Sequence, residues 1–197
     1  MSAADDRLDR QLRFLAEAQQ LNRVLRRTVV GDDAPRRENT AEHSWHVALM
    51  ALVLAEHAAE EVDLSRVVAM LLVHDVVEVD AGDTFVYDAA AKQDQEERER
   101  AAADRLFALL PEPTAGQLRA LWDEFEAGMS PEAGFAKALD RFQPVLMNWS
   151  GDGAGWRKHA IDARDVLEVN RPIATGAPTL WRRLEAMVTE ARSAGSL

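Results

Sequence analysis

Residues 70 to 85 read MLLVHDVVEVDAGDTF, a run of Met, Leu and Val interrupted by His74, Asp75 and Glu78. On a helix, residues three and four apart share a face, so Glu78 lies with both His74 and Asp75. Val68, Met70, Leu71, Leu72, Val73, Val76 and Val77 surround them on every side, the pattern of a central buried helix. Two ionised carboxylates in one buried turn are costly unless something neutralises them. A bound cation would offset that cost directly, and pairing with arginines is the competing solution. A lone His-Asp dipeptide carries little weight, because a buried histidine is more often a hydrogen-bonded core residue than a ligand. Two further residues add to it. His43, in RENTAEHSWHVALMAL, continues into Val47, Met50 and Leu54 at helical spacing and so points inward. Asp140, in FAKALDRFQPVL, shares an inward stripe with Ala133, Ala136, Gln143 and Met147. Pro144 lacks the N–H that would bond the Asp140 carbonyl, which predicts a distorted backbone beside that carboxylate.

The elements that must position these residues read almost entirely as helix. DRLDRQLRFLAEAQQLNRVLR has apolar residues at 8, 12, 15, 21 and 25, and the polar loop VGDDAPRRE follows. Thr40 is placed to cap a long helix ending near Val62, and Asp63 to cap LSRVVAMLLVHDVVEV. DAGDTFVYDAAAK breaks the pattern before a charged helix from about Lys92 to Leu110. PEPT opens another helix, and Ser130-Pro131-Glu132 starts the one bearing Asp140. A loop, SGDGAG, precedes WRKHAIDARDVLEVN, and PTLWRRLEAMVTEARS closes the chain. There is no repeat, no sustained strand alternation and no interdomain linker. The expectation is an all-α, single-domain helical bundle over residues 1–197. Its motif-bearing core covers about 10–150, with C-terminal helices in 155–195 packing on it.

Composition narrows the class. Of 197 residues, 47% are hydrophobic, enough for a substantial core. The net charge of −11, from 34 acidic and 23 basic residues, disfavours nucleic-acid partners, and no Lys/Arg stripe counters it. The absence of cysteine removes disulfides and thiolate sites and fits a reducing cytoplasm. No uninterrupted apolar segment suits a membrane span, so a cytoplasmic protein without membrane partners is expected.

The order His43, His74-Asp75, Asp140 resembles the signature of the HD-domain metal-dependent phosphohydrolases. RENTAEHS, HDVVEVDAGDT and KALDRF resemble the small-HD branch that contains bacterial 5′-deoxynucleotidases, over about residues 10 to 150. The resemblance implies an all-helical fold and one divalent metal held by His43, His74, Asp75 and Asp140. Such a mixed imidazole and carboxylate set suits Mn²⁺, Co²⁺, Fe²⁺, Ni²⁺ or Zn²⁺, with Mg²⁺ less suited. It further implies that Glu78 transfers a proton and that Asp83 lies near the leaving oxygen, with Gly82 allowing a sharp turn between them. Arg23, Arg26, Arg37 and Lys92 are the candidate contacts to a small anionic phosphate substrate, in this family a nucleotide. Family members are often dimers, and the apolar helices here could bury a shared surface. His46, His57 and His159 are expected in surface or hydrogen-bonding roles, and the five tryptophans in the core. The chain departs from the pattern at Val24, where the deoxynucleotidases carry tryptophan, and in TFVYDAAAK, which lacks a proline common in relatives. Residues from Gly151 onward are not covered. Three alternatives stay open: another phosphoester substrate, a non-catalytic helical module stabilised by the metal, or a coincidental signature.

Overall fold

The computed structural model describes residues 3–30 and 36–197. Helix α1 (Ala3–Ala18) leads through a single 3-10 turn to a hairpin of β1 (Leu25–Val30) and β2 (Arg36–Asn39). The body comprises α2 (Thr40–Leu54), α3 (Leu64–Val73), α4 (Glu78–Ala81), α5 (Gln95–Phe107), α6 (Thr114–Ala127) and α7 (Pro131–Ser150). Four helices follow: α8 (Ala154–His159), α9 (Ala163–Asn170), α10 (Ile173–Gly176) and α11 (Pro178–Ala194). The all-α expectation holds, with the hairpin as the one addition among the described residues. No helix of the described residues is long and apolar enough to cross a membrane.

Local chemistry sets the helix starts. Asn39, one residue before the expected Thr40, caps α2 by accepting from the Glu42 N–H, while the Glu42 carboxylate accepts from the Asn39 N–H. Such a cap contributes about 1 kcal/mol. Asp63 caps α3 and Ser130 caps α7, whose first residue is Pro131, as the sequence indicates. α2 stops at Leu54 rather than near Val62; the chain turns away and the Ala59 N–H bonds the Gly176 carbonyl at 3.0 Å. The charged helix is shorter than expected, Gln95–Phe107. Helix α7 runs through Pro144 as one continuous element.

A larger difference lies in the opening stretch itself, which is not one helix. α3 ends at Val73, residues 74–77 form a turn, and α4 begins at Glu78. The Leu71 carbonyl, which would accept the next helical bond, pairs instead with His74 Nδ1 at 2.9 Å. Bonds to the third residue back follow, Val76 to Val73 at 3.1 Å and Glu78 to Asp75 at 3.0 Å. The hairpin was also unforeseen. β1 and β2 pair antiparallel with Leu25 opposite Asn39 and Val30 opposite Arg36. Part of the VGDDAPRRE loop, residues 31–35, lies outside the described residues.

Helices α2, α3 and α7 pack against one another around Val47, Ala51, Met70, Leu71, Phe135 and Leu139, all buried. Burying a side chain of Leu or Phe size contributes about 1.5–3 kcal/mol. A second buried cluster joins Val73, Val76 and Val77 to Leu106, Phe107 and Trp122. His74 and Asp75 therefore sit where two apolar clusters meet. α10 closes on α7 at a pair of glycines, since a Cβ on Gly176 would collide with the Gly134 carbonyl. Tryptophans do not all follow the core expectation. Trp122 and Trp156 are buried, but Trp45 is 63% exposed, beside exposed Leu49, Leu52 and Val53 on α2.

Candidate metal centre

Three ligand-bearing side chains converge from two helices. His43 projects from the first turn of α2 and is fully buried, while His74 and Asp75 follow the end of α3. One ligand atom from each lies within 4.8 Å of the other two. Asp140, from α7, places Oδ1 2.9 Å from His43 Nε2 and 3.8 Å from His74 Nε2. The Leu71 carbonyl can only accept, so His74 Nδ1 carries the proton in that bond and Nε2 is the nitrogen left to take up a further proton or a cation. That Nε2 is buried without a hydrogen-bond partner, 3.2 Å from Asp75 Oδ1.

Electrostatics favour a cation at this point. Burial opposes a charged His74, yet Asp75 and Asp140 hold its pKa well above the ordinary histidine value. The same carboxylates that draw a proton to this imidazole would attract a metal cation. Burial likewise opposes ionisation of Asp140, but the hydrogen bond with His43 and the nearby His74 hold it well below the usual carboxylate range. Asp75 is also lowered, against burial, by His74 and Arg26. Two imidazoles and two carboxylates around an unpartnered buried nitrogen fit a divalent cation.

Glu78 and Asp83 stand beside this group. Glu78 is buried and accepts a 2.7 Å hydrogen bond from the Thr40 hydroxyl, not from an arginine. Burial, Asp75 and Asp83 raise its pKa well above the usual range, against Arg26 and Thr40. Asp83 is raised too, by burial first, with Arg26 opposing. Gly82 turns the chain between them at φ 73° and ψ 156°, a conformation open essentially to glycine alone.

The four basic candidates fare differently. Arg26 is largely but not fully buried among the acids, 3.2 Å from Asp75, 3.5 Å from Glu38 and 3.7 Å from Asp83. Pairing with an arginine and membership of a group that could hold a cation therefore coexist at Asp75. Arg37 reaches the backbone carbonyls of Leu25 and Arg26 and pins the hairpin. Arg23 is exposed in the 3-10 turn and does not line the cavity. Lys92 does line it.

That cavity, about 280 Å³, opens from His74, Asp75, Glu78, Asp83 and Asp140. Among the lining residues that sequence reasoning left out of the site are Lys137 and His159. Lys137 is held 4.7 Å over the Phe125 ring and 4.0 Å from Glu126. Its position three residues before Asp140 on the same helical face was a usable signal. His159, assigned a surface role, also lines the cavity. Glu38 is a further omission. It is buried, accepts from Gln143 Nε2 at 2.6 Å, and places Oε2 3.9 Å from His43 Nδ1.

Comparison with known proteins agrees with this geometry. The model of the HD domain family matches residues 18–181. A crystal structure from Magnetospirillum magnetotacticum MS-1, of a protein described as a "predicted metal-dependent phosphohydrolase", superposes with a TM-score of 0.93. It is 46% identical, over 100% of this chain and 98% of that one. The 5′-deoxynucleotidase HDDC2 of Homo sapiens is 35% identical over 135 residues, 68% of this chain and 65% of that protein. Its Bos taurus counterpart is 36% identical over 68% of this chain and 64% of that one. The chain thus matches just under two thirds of the length of these curated relatives. With the family model spanning most of its length and the signature residues gathered at one buried point, the chain belongs to the HD domain family.

Proposed function

We propose that the protein is a metal-dependent phosphohydrolase that releases phosphate from deoxynucleoside 5′-monophosphates. The observation that carries the proposal is the group of buried His43 and His74 with Asp75 and Asp140, which opens into a cavity that also holds Glu78 and Asp83. The deoxynucleotidase names of the relatives support the substrate class. His43, His74, Asp75 and Asp140 would hold one divalent ion, with Mn²⁺, Co²⁺, Fe²⁺, Ni²⁺ or Zn²⁺ favoured over Mg²⁺ by the donor set. Such an ion supplies Lewis-acid polarisation of the phosphoryl group and acidifies water.

The chain's own groups do the rest. In hydrolysis a water oxygen bonds to phosphorus, the bond from phosphorus to the 5′ oxygen breaks, and one proton passes from the water to that oxygen. Glu78, with its pKa lifted by burial, is the assigned proton carrier, oriented by the Thr40 hydroxyl. Asp83 faces the leaving oxygen. Arg26 keeps the acids from repelling one another. Lys92 and Lys137 are the cavity cations assigned to the phosphate. In this reading residues 1–197 form one HD-type unit acting on a small nucleotide.

A chelator-stripped sample tests it by phosphate release from deoxy- and ribonucleoside 5′-mono-, di- and triphosphates and a phosphodiester, with each metal in turn. Metal-restored release from the deoxymonophosphates is expected. Release only from another ester would move the substrate class, and a bound metal without turnover on any ester would point to a binding module.

Glu38 gives a sharper expectation about the metal. Its Oε2 stands 3.9 Å from His43 Nδ1, beyond hydrogen-bond range, but its charge favours a proton on that nitrogen, which would leave Nε2, now 2.9 Å from Asp140, to ligate a cation. Glu38→Gln presents an amide that can donate to Nδ1 and so drives the proton to Nε2. Metal affinity measured by calorimetry is expected to fall about 10- to 100-fold, as for other partners of ligating histidines. Unchanged affinity would show that Glu38 does not orient His43.

A further inference from the structure

The proposed reaction occupies one end of the cavity. α7 runs beside it, with Lys137, Asp140, Pro144 and Asn148 all on the wall. At the helical rise per residue, Asn148 lies about 12 Å beyond Asp140. There the Trp156 N–H bonds Asn148 Oδ1 at 3.1 Å and ties α8 to α7. Gly155 permits that approach, since a Cβ would collide with the same oxygen. α8 ends at His159, where Ala160 takes a left-handed conformation at φ 53°.

The His159 ring lies 5.0 Å from that of Phe85, tilted by 48°, and Phe85 meets Tyr87 edge-on at 5.2 Å. All three line the cavity. The imidazole is half-buried. Its Nε2 is buried without a hydrogen-bond partner. Phosphate transfer itself has no use for a pair of rings on the cavity wall. A flat heterocycle does, because aromatic side chains stack on the face of any base and an imidazole nitrogen can pair with a base edge.

We propose that Phe85 and His159 form the nucleobase end of the pocket, stacking on the heterocycle while His159 Nε2 meets its polar edge. The inference rests on the nucleotide reading above and assigns the C-terminal segment a part in substrate recognition. Stacking tolerates any base, so purine and pyrimidine deoxynucleotides are both accepted.

Deoxyadenosine and thymidine, which carry no phosphate, separate the two ideas. Their binding to the metal-loaded protein by calorimetry is expected to weaken about tenfold in Phe85→Leu and in His159→Ala. His159→Phe is expected to recover part of the loss, since it restores a ring. In the same variants KM for deoxynucleotides should rise with kcat little changed, and deoxyribose 5-phosphate, which lacks a base, should be unaffected. Nucleoside binding equal in all variants, beside normal turnover of deoxynucleotides, overturns the inference and leaves the proposed function standing. Equal losses on deoxyribose 5-phosphate also overturn it, by showing a structural effect. Nucleoside binding that the variants weaken, in a protein that releases no phosphate, keeps the base site and overturns the function instead.

Discussion

Glu78→Gln is expected to lower kcat by about 10²- to 10⁴-fold, the range for loss of a positioned proton carrier, while stoichiometric metal binding persists. The geometry makes the substitution clean. Glu78 accepts from the Thr40 hydroxyl at 2.7 Å, and a glutamine carbonyl can accept the same bond. The carboxylate is crowded by Asp75 and Asp83, and burial together with these neighbours raises its pKa. A neutral amide removes that repulsion, so the melting temperature should hold or rise as turnover disappears. Calorimetric metal titration, thermal melts and phosphate release on one preparation decide it. Full turnover in Glu78→Gln would remove Glu78 from the chemistry and transfer the proton to Asp83. A variant that has lost its metal would show that Glu78 shapes the site instead.

The convergence of the candidate metal group was legible because each member announced itself locally. His43 and Asp140 each continue an apolar stripe at helical spacing, and His74-Asp75 interrupts a run that must be buried. Their convergence needed only that α2, α3 and α7 pack together, which their apolar faces dictate. The break after Val73 was not legible, because it arises from a ring nitrogen taking the Leu71 carbonyl. Nothing in composition distinguishes that histidine from one pointing elsewhere. The hairpin was hidden for another reason: β2 is four residues long, Arg-Arg-Glu-Asn, with no apolar alternation to betray it. Arg26 was expected to contact a phosphate, and its place among the acids depends on the pairing of β1 with β2, which the sequence did not reveal. His159 depends on three distant facts, the Asn148 bond to Trp156, the left-handed Ala160 and the placement of Phe85. Periodicity sees none of them.

Asp75→Ala is expected to abolish metal-restored phosphate release and to remove the stabilisation that metal confers. A ligand lost outright costs more than the roughly 10- to 100-fold that its hydrogen-bonding partners carry. A melting experiment reads this without any assay of turnover. Wild-type protein should melt at rising temperature as Mn²⁺ is added, by an amount that grows with the logarithm of metal over Kd, and Asp75→Ala should not respond. In chelator the variant has a second effect to balance. Asp75 is the nearest partner of the buried Arg26 guanidinium at 3.2 Å, and breaking a buried pair costs about 3–5 kcal/mol when the partner is left alone. Arg26 is not left alone, because Glu38 at 3.5 Å and Asp83 at 3.7 Å remain. Removing one of several crowded carboxylates also relieves Glu78, whose raised pKa Asp75 helps to cause. The chelated variant should therefore melt only a few degrees lower than the chelated wild type, at about 2–4 °C per kcal/mol for a chain of this size. A large loss without metal would mean that the pair with Arg26 dominates and that Asp75 is chiefly structural. A small loss without metal, together with a flat response to Mn²⁺, identifies Asp75 as a ligand held in readiness by an arginine.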